Sequence, residues 1–150
     1  MSVFTRLLFA LLLALALGAC KQPDGNAQQL EITGTVASAD TINSSIEQAF
    51  AAKRSDVQVS GKGKVIKLLA DDNKGSRHQK FLVKINAQQT LLFAHNIDLA
   101  SRVPLQIGDE VSFNGEYVYN PKGGIIHWTH HAPQGDHEAG WVMLNGQKYQ

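Results

Sequence analysis

The chain has 150 residues, a length that suits one domain. Its 14 basic and 13 acidic residues give a formal charge of +1, which removes any general electrostatic drive toward nucleic acid. The single cysteine excludes an internal disulfide.

Residues 1–19 begin with one basic residue, Arg6, continue through an apolar run over 7–17 and end in the small residues Gly18 and Ala19. This is the layout of a secretory signal peptide. The run falls short of the about 20 apolar residues that a membrane-spanning helix needs. Leu17-Gly18-Ala19-Cys20 resembles the lipobox of bacterial lipoproteins. The resemblance implies cleavage before Cys20, lipidation of its thiol and acylation of its amino group. Several acyl chains anchor stably where one would be marginal. It also implies a cell-envelope address, and Lys21 in place of an aspartate points to the outer membrane, facing the periplasm. Loss of Arg6 with the leader leaves basic and acidic residues balanced. Residues 20–39 then read as the lipidated cysteine and a flexible stalk, polar and broken by Pro23 and Gly25.

Residues 40–150 form the domain. Asp40 or Thr41 is placed to cap an amphipathic helix reaching about Lys53, with Ile42, Ile46 and Phe50 as its apolar stripe. From Asp56 the period changes to two. Val57, Val59, Gly61, Gly63 and Val65 alternate with polar residues in a long first strand, whose glycines allow it to bend. After a turn at Asp71–Gly75, 77–86 predicts a second strand with Phe81, Val83 and Ile85 on one face. A third follows at 90–95, a short segment at 99–103, a fourth strand at 110–119 and a fifth at 124–129. The tail carries Trp141-Val142-Met143-Leu144 and the hairpin signal Asn145-Gly146. The predicted fold is mainly β, a small OB-like five-stranded barrel preceded by one helix. An open antiparallel sheet with one covering helix is the alternative.

Four of the six histidines fall between Gly123 and Trp141: His127, His130, His131 and His137. Imidazole titrates nearest neutrality and is the commonest metal ligand. On a regular strand His127 and His130 diverge, since alternate residues share a face. They converge only if the strand ends or bulges near Thr129. Pro133 and Gly135 predict a chain reversal that returns His137 toward them. The segment admits three readings: a zinc or other transition-metal site, a metal-free ligand or acid–base site, and histidines that only brace the loop. His78 and His95 lie on other strands and can join across the sheet.

Arg77, His78, Asn96, Asp98 and Arg102 form a second constellation at a strand end. The two arginines suit an anionic ligand, although an Arg102–Asp98 pair with a structural role is favoured. Glu116, beside the histidine strand, is a candidate base or supporting partner. Trp128 is a candidate stacking surface for a sugar or other small molecule. No nucleophile-elbow, phosphate-loop or H-E-x-x-H pattern is present.

The strings S-R-H-Q-K-F (76–81), A-H-N-I-D-L-A-x-R (94–102), G-D-E-V-x-F-x-G-E-Y (108–117) and H-W-T-H-H-x-P-x-G-x-H-x-x-G-W (127–141) resemble a bacterial family known only as a domain of unknown function. The chain departs from that pattern at Ala132, where the family form is H-H-D-P. The resemblance implies no activity. The expected function is therefore a lipid-anchored envelope binding module for a metal, small ligand or glycan. The alternatives are a periplasmic metal-dependent hydrolase, with His127, His131 and His137 as ligands and Glu116 or Glu138 as base, and a purely structural envelope protein.

Overall fold

The computed structural model describes residues 42–150. The signal-like segment 1–19, Cys20, the stalk through 39 and the proposed caps Asp40 and Thr41 lie outside the described residues.

Helix α1 spans Ser44–Ala51. It is shorter than the periodicity predicts, and its buried stripe is Ile46 and Ala49, with Phe50 partly buried and Ile42 36% exposed. Asn43 explains the change at the start. Its side chain is only 4% exposed, donates to the carbonyls of Lys62 and Ile85 and accepts from the Lys62 amide. The amide thus ties the helix entry to the barrel, and Ile42, before the break at Asn43, is exposed. At the other end Lys53 adopts φ 52°, its amide bonds the Phe50 carbonyl, and the Arg54 amide bonds that of Ala49. This is a Schellman-type stop, built on a lysine where glycine is usual.

Seven strands follow: β1 Val57–Leu68, β2 His78–Lys84, β3 Thr90–Asn96, β4 Glu110–Val118, β5 Ile125–His127, β6 Trp141–Leu144 and β7 Gln147–Tyr149. The first five close into the OB-like barrel. β1 is long enough to serve two neighbours, pairing antiparallel with β4 from Val57 to Lys64 and with β2 from Lys64 to Leu68. A register shift between Val65 and Lys67 marks the bend. β2 pairs with β3, β3 runs parallel to β5, and β5 returns to β4. A closed ring leaves few free edges to aggregate.

Alternation sets the core. Phe81, Val83, Leu91, Phe93, Phe113, Tyr117 and Ile126 point inward and are fully buried. Phe93 stacks on Phe81 and meets Phe113 edge-on, both with ring centres 4.8 Å apart. Each such burial contributes about 1.5–3 kcal/mol. Gln79, also buried, exchanges two hydrogen bonds with the backbone of Val103, 2.8 Å and 2.9 Å, so the short segment after β3 is pinned across the barrel.

The second edge of β4 is shared. Its end pairs with β5 and its beginning with β6, and β7 completes a hairpin at Asn145 and Gly146, both with positive φ. β5 and β6 therefore lie along one edge, and residues 128–140 leave that edge and rejoin it. This excursion carries His130, His131 and His137.

Candidate functional site

The excursion begins abruptly. β5 ends at His127, and Trp128 takes φ 49°, a left-handed conformation that costs a bulky residue about 1–3 kcal/mol. Thr129 then turns inward and is fully buried, while His130 is swung back to the side of His127. The alternation that would separate these two histidines ends one residue after the first. The return is fixed at Gly140, whose amide bonds the His130 carbonyl at 2.9 Å. A side chain at Gly140 would strike the carbonyls of Trp128 and Asn114, and one at Gly115 would meet the His127 carbonyl at 2.5 Å. Glycine is needed at both positions because three backbones pass that closely.

His95 anchors the excursion from inside the barrel. Its ring is fully buried, with Nε2 3.1 Å from the Ser101 carbonyl and Nδ1 2.8 Å from the Thr129 hydroxyl. A carbonyl only accepts, so Nε2 carries the proton, and Nδ1 accepts from the Thr129 O–H. Burial pushes the His95 pKa down, against the opposing pull of the Ser101 carbonyl. His95 is thus a neutral brace and does not face the cleft.

The outer surface of β2, β3 and β5, walled by the excursion, forms a cleft of about 450 Å³. His78, Ala94, Asn96, Leu99, His127, Trp128, His130 and His137 line it, together with Ser76, Pro133, Gln134 and Asp136. Register explains the grouping. His78 pairs with Asn96, and His127 lies one residue beyond the Phe93–Ile126 pair of the parallel ladder, level with Ala94. The face of β2 and β3 is the one on which OB folds carry oligonucleotides and oligosaccharides. Trp128 is 39% exposed and stacks on His137 with ring centres 4.5 Å apart. His137 in turn meets His130 edge-on at 5.0 Å. Burial, and then the neighbouring His78, push the His127 pKa down. Burial also lowers that of His130, against the opposing pull of its bond to the His131 carbonyl, with further lowering from His137, His131 and His78. These rings are neutral at neutral pH and can both give and accept hydrogen bonds.

The structure therefore brings together His78, Asn96, His127, Trp128, His130 and His137, and it leaves the other candidates elsewhere. His131 is exposed and does not line the cleft; its carbonyl accepts from His130 Nδ1. Glu116 pairs in register with His127 on the neighbouring strand and also lies outside the lining. Burial, and then Asp56, raise its pKa, and His137 partly offsets this. The expected Arg102–Asp98 pair does not form. Arg77 takes Asp98 instead, through its backbone amide and its Nε, each at 2.7 Å, and Arg102 bonds Asp71. The exchange follows from the ladder: Arg77 immediately precedes β2, whose His78 pairs with Asn96, so Arg77 arrives opposite the 96–98 turn. Those two bonds hold the Asp98 carboxyl below its usual range. Both guanidiniums are thus committed to carboxylates outside the cleft lining. Among the described residues no three His, Cys, Asp or Glu groups converge as a metal site. Thr129 was not singled out from the sequence, and a lone threonine between a tryptophan and a histidine carries no signal of its buried bond to His95.

No curated protein matches the chain. A family match spans residues 29–150, and on it the chain belongs to the family described as protein of unknown function (DUF3465).

Proposed function

We propose that the protein is a lipid-anchored binding module of the cell envelope, held by Cys20 at the outer membrane and facing the periplasm. Its ligand is a small polar molecule, best matched by a neutral glycan unit, seated in the imidazole-lined cleft. One observation carries this reading: neutral imidazoles and a half-exposed tryptophan share one cavity on the β2–β3 face. Tryptophan offers a stacking surface for a sugar ring, and neutral imidazoles with Asn96 and Gln134 offer uncharged donors and acceptors beside the Asp136 carboxylate, which can accept from sugar hydroxyls. The arginines are paired elsewhere, which disfavours an anionic ligand.

Saturation-transfer NMR with soluble peptidoglycan fragments and neutral oligosaccharides tests the proposal. Saturable contacts are expected with the wild type and not with Trp128→Ala or His78→Ala. No saturable contact from any member of the panel rejects it. A hydrolase built on His127, His131 and His137 has less support, because His131 is turned away from the cavity and neither Glu116 nor Glu138 lines it.

A further inference from the structure

The outer face of an antiparallel sheet is ordinarily polar, because that side of each strand meets water. Part of this barrel breaks the rule. Phe81, Val83, Leu91, Phe93 and Ile126 fill the core, so alternation sends Leu82, Leu92 and Ile125 outward. The ladder sets these three side by side: Leu92 pairs with Leu82 on β2 and with Ile125 on β5. Ile66 joins them from the register shift in β1, and Leu69 from just beyond that strand. The result is a groove of about 530 Å³, and among the described residues that line it Lys122 alone is charged.

The groove runs into the imidazole cleft. Two residues further along the same strands, about 7 Å away, lies the next outward row: Lys80, Ala94 and His127. Ala94 and His127 line the cleft, and half-buried Lys80 flanks them. The centre of that row is a single methyl group, so on β3 nothing taller than Ala94 separates Leu92 from the cleft. Thr90 lines the far end of the groove and Asn96 the far end of the cleft, a strip about 20 Å long on β3. One end of the strip is apolar, and the other is set with imidazoles, Asn96, Asp136 and the stacking face of Trp128.

We propose that groove and cleft are one site for an amphiphile, with an alkyl chain along Leu82, Leu92 and Ile125 and a hydroxyl-bearing head in the cleft. This rests on the cleft reading and deepens it: the glycan unit is the head of an alkyl-bearing molecule. The strands beneath the groove favour an alkyl chain over a peptide. β2 is paired on both sides, with β1 and β3, and β3 with β2 and β5, so no ladder edge is open there for an added strand. A peptide would leave its own backbone groups unmatched in an apolar groove, whereas an alkyl chain has none to match.

The test uses the mature chain, residues 20–150, with Cys20→Ser, because detergent or an attached acyl chain would compete for the groove. Alkyl glucosides from methyl to octyl, each below its micellar concentration, are titrated and followed by amide chemical shifts. Affinity should rise about twofold per added methylene, half the free energy of a fully buried one, and so roughly a hundredfold from methyl to octyl. Leu92→Gln should flatten this dependence. Ile66→Gln serves as a second variant: Ile66 is 39% exposed and outside the core, so a flattened dependence with an unchanged melting temperature reads lost contact rather than lost folding. Trp128→Ala should weaken the whole series by a similar factor and keep the dependence on chain length. The proposal is overturned if octyl glucoside binds no tighter than methyl glucoside, or if both groove variants keep the wild-type dependence. Octanoate binding as tightly as octyl glucoside also overturns it, since a carboxylate at Lys122 would then suffice. So does a concentration-dependent dimer that Ile66→Gln breaks, which would assign the groove to a second copy of the chain. Methyl glucoside bound with no gain from longer chains sinks only the groove assignment. Gain with chain length that Trp128→Ala leaves untouched, with no contact from free oligosaccharides, sinks the cleft reading and this proposal with it.

Discussion

Thr129→Val tests the anchor that turns the excursion into the cleft. Valine keeps the shape of threonine and removes one hydroxyl, which is the donor to His95 Nδ1 at 2.8 Å. Both residues are fully buried, so water cannot replace the lost donor. A typical hydrogen bond contributes about 0.5–1.5 kcal/mol net, but a buried acceptor left without a donor costs about 1–3 kcal/mol. The second figure governs here, because Nε2 is already committed to Ser101 and holds the ring in place. The expected loss is about 1–3 kcal/mol, or a fall in melting temperature of roughly 4 °C per kcal/mol for a domain of this size. Urea titration followed by far-UV circular dichroism should show a lower midpoint with an unchanged slope. Hydrogen exchange should quicken at the Gly140 amide, which closes the excursion. In a double-mutant cycle with His95→Leu the two losses should fall well short of additive, since both remove the same bond. A Thr129→Val midpoint equivalent to less than about 0.5 kcal/mol from wild type, the range of ordinary surface changes, would refute the assigned tautomer and the bracing role.

Gly140→Ala should destabilise by at least about 1–3 kcal/mol, the usual cost of overpacking, because the added carbon meets two backbone carbonyls that cannot rotate away; chemical denaturation measures it. Asn43→Ala removes three hydrogen bonds between the entry of α1 and the barrel and should cost about 1–3 kcal/mol, with loss of helical signal preceding loss of strand signal on heating. Acid should weaken the fold through His95: its folded pKa lies below its unfolded one, so the unfolded chain binds the extra proton first. Stability is then complete above about pH 6.5, the usual histidine value, and falls as the pH drops from there toward the folded pKa. Denaturation midpoints between pH 7.5 and 5 should show this slope, and a His95→Gln variant should reduce it, leaving the part owed to His127 and His130, whose pKa values burial also lowers. Cys20→Ser should abolish acylation and move the protein out of the membrane fraction; unchanged fractionation refutes the anchor.

Much of the barrel could be read before any coordinates. Val57, Val59 and Val65 alternate with polar residues, Phe81 and Val83 repeat the pattern, and Asn145-Gly146 announces its hairpin; each signal is local, because strand periodicity and turn chemistry are properties of adjacent residues. The helix was legible in kind but not in extent. Its limits depend on Asn43 reaching strands far along the chain and on Lys53 turning left-handed, and neither is visible in a window of a few residues.

The cleft was legible only as a list of candidates. The sequence determined that imidazoles are dense between Gly123 and Trp141 and that a reversal follows His131. Tertiary structure decided which of them meet. The φ of Trp128 inverts the alternation after His127, the edge of β4 reclaims the chain at Trp141, and the parallel pairing of β3 with β5 carries Ala94 and His127 to one level. It also turned His131 outward, buried His95 behind the site and exchanged the partners of Arg77 and Arg102. Side-chain direction is a local property only while the backbone stays regular. Where one residue leaves the strand conformation, packing between distant strands sets the direction, and no local pattern records it.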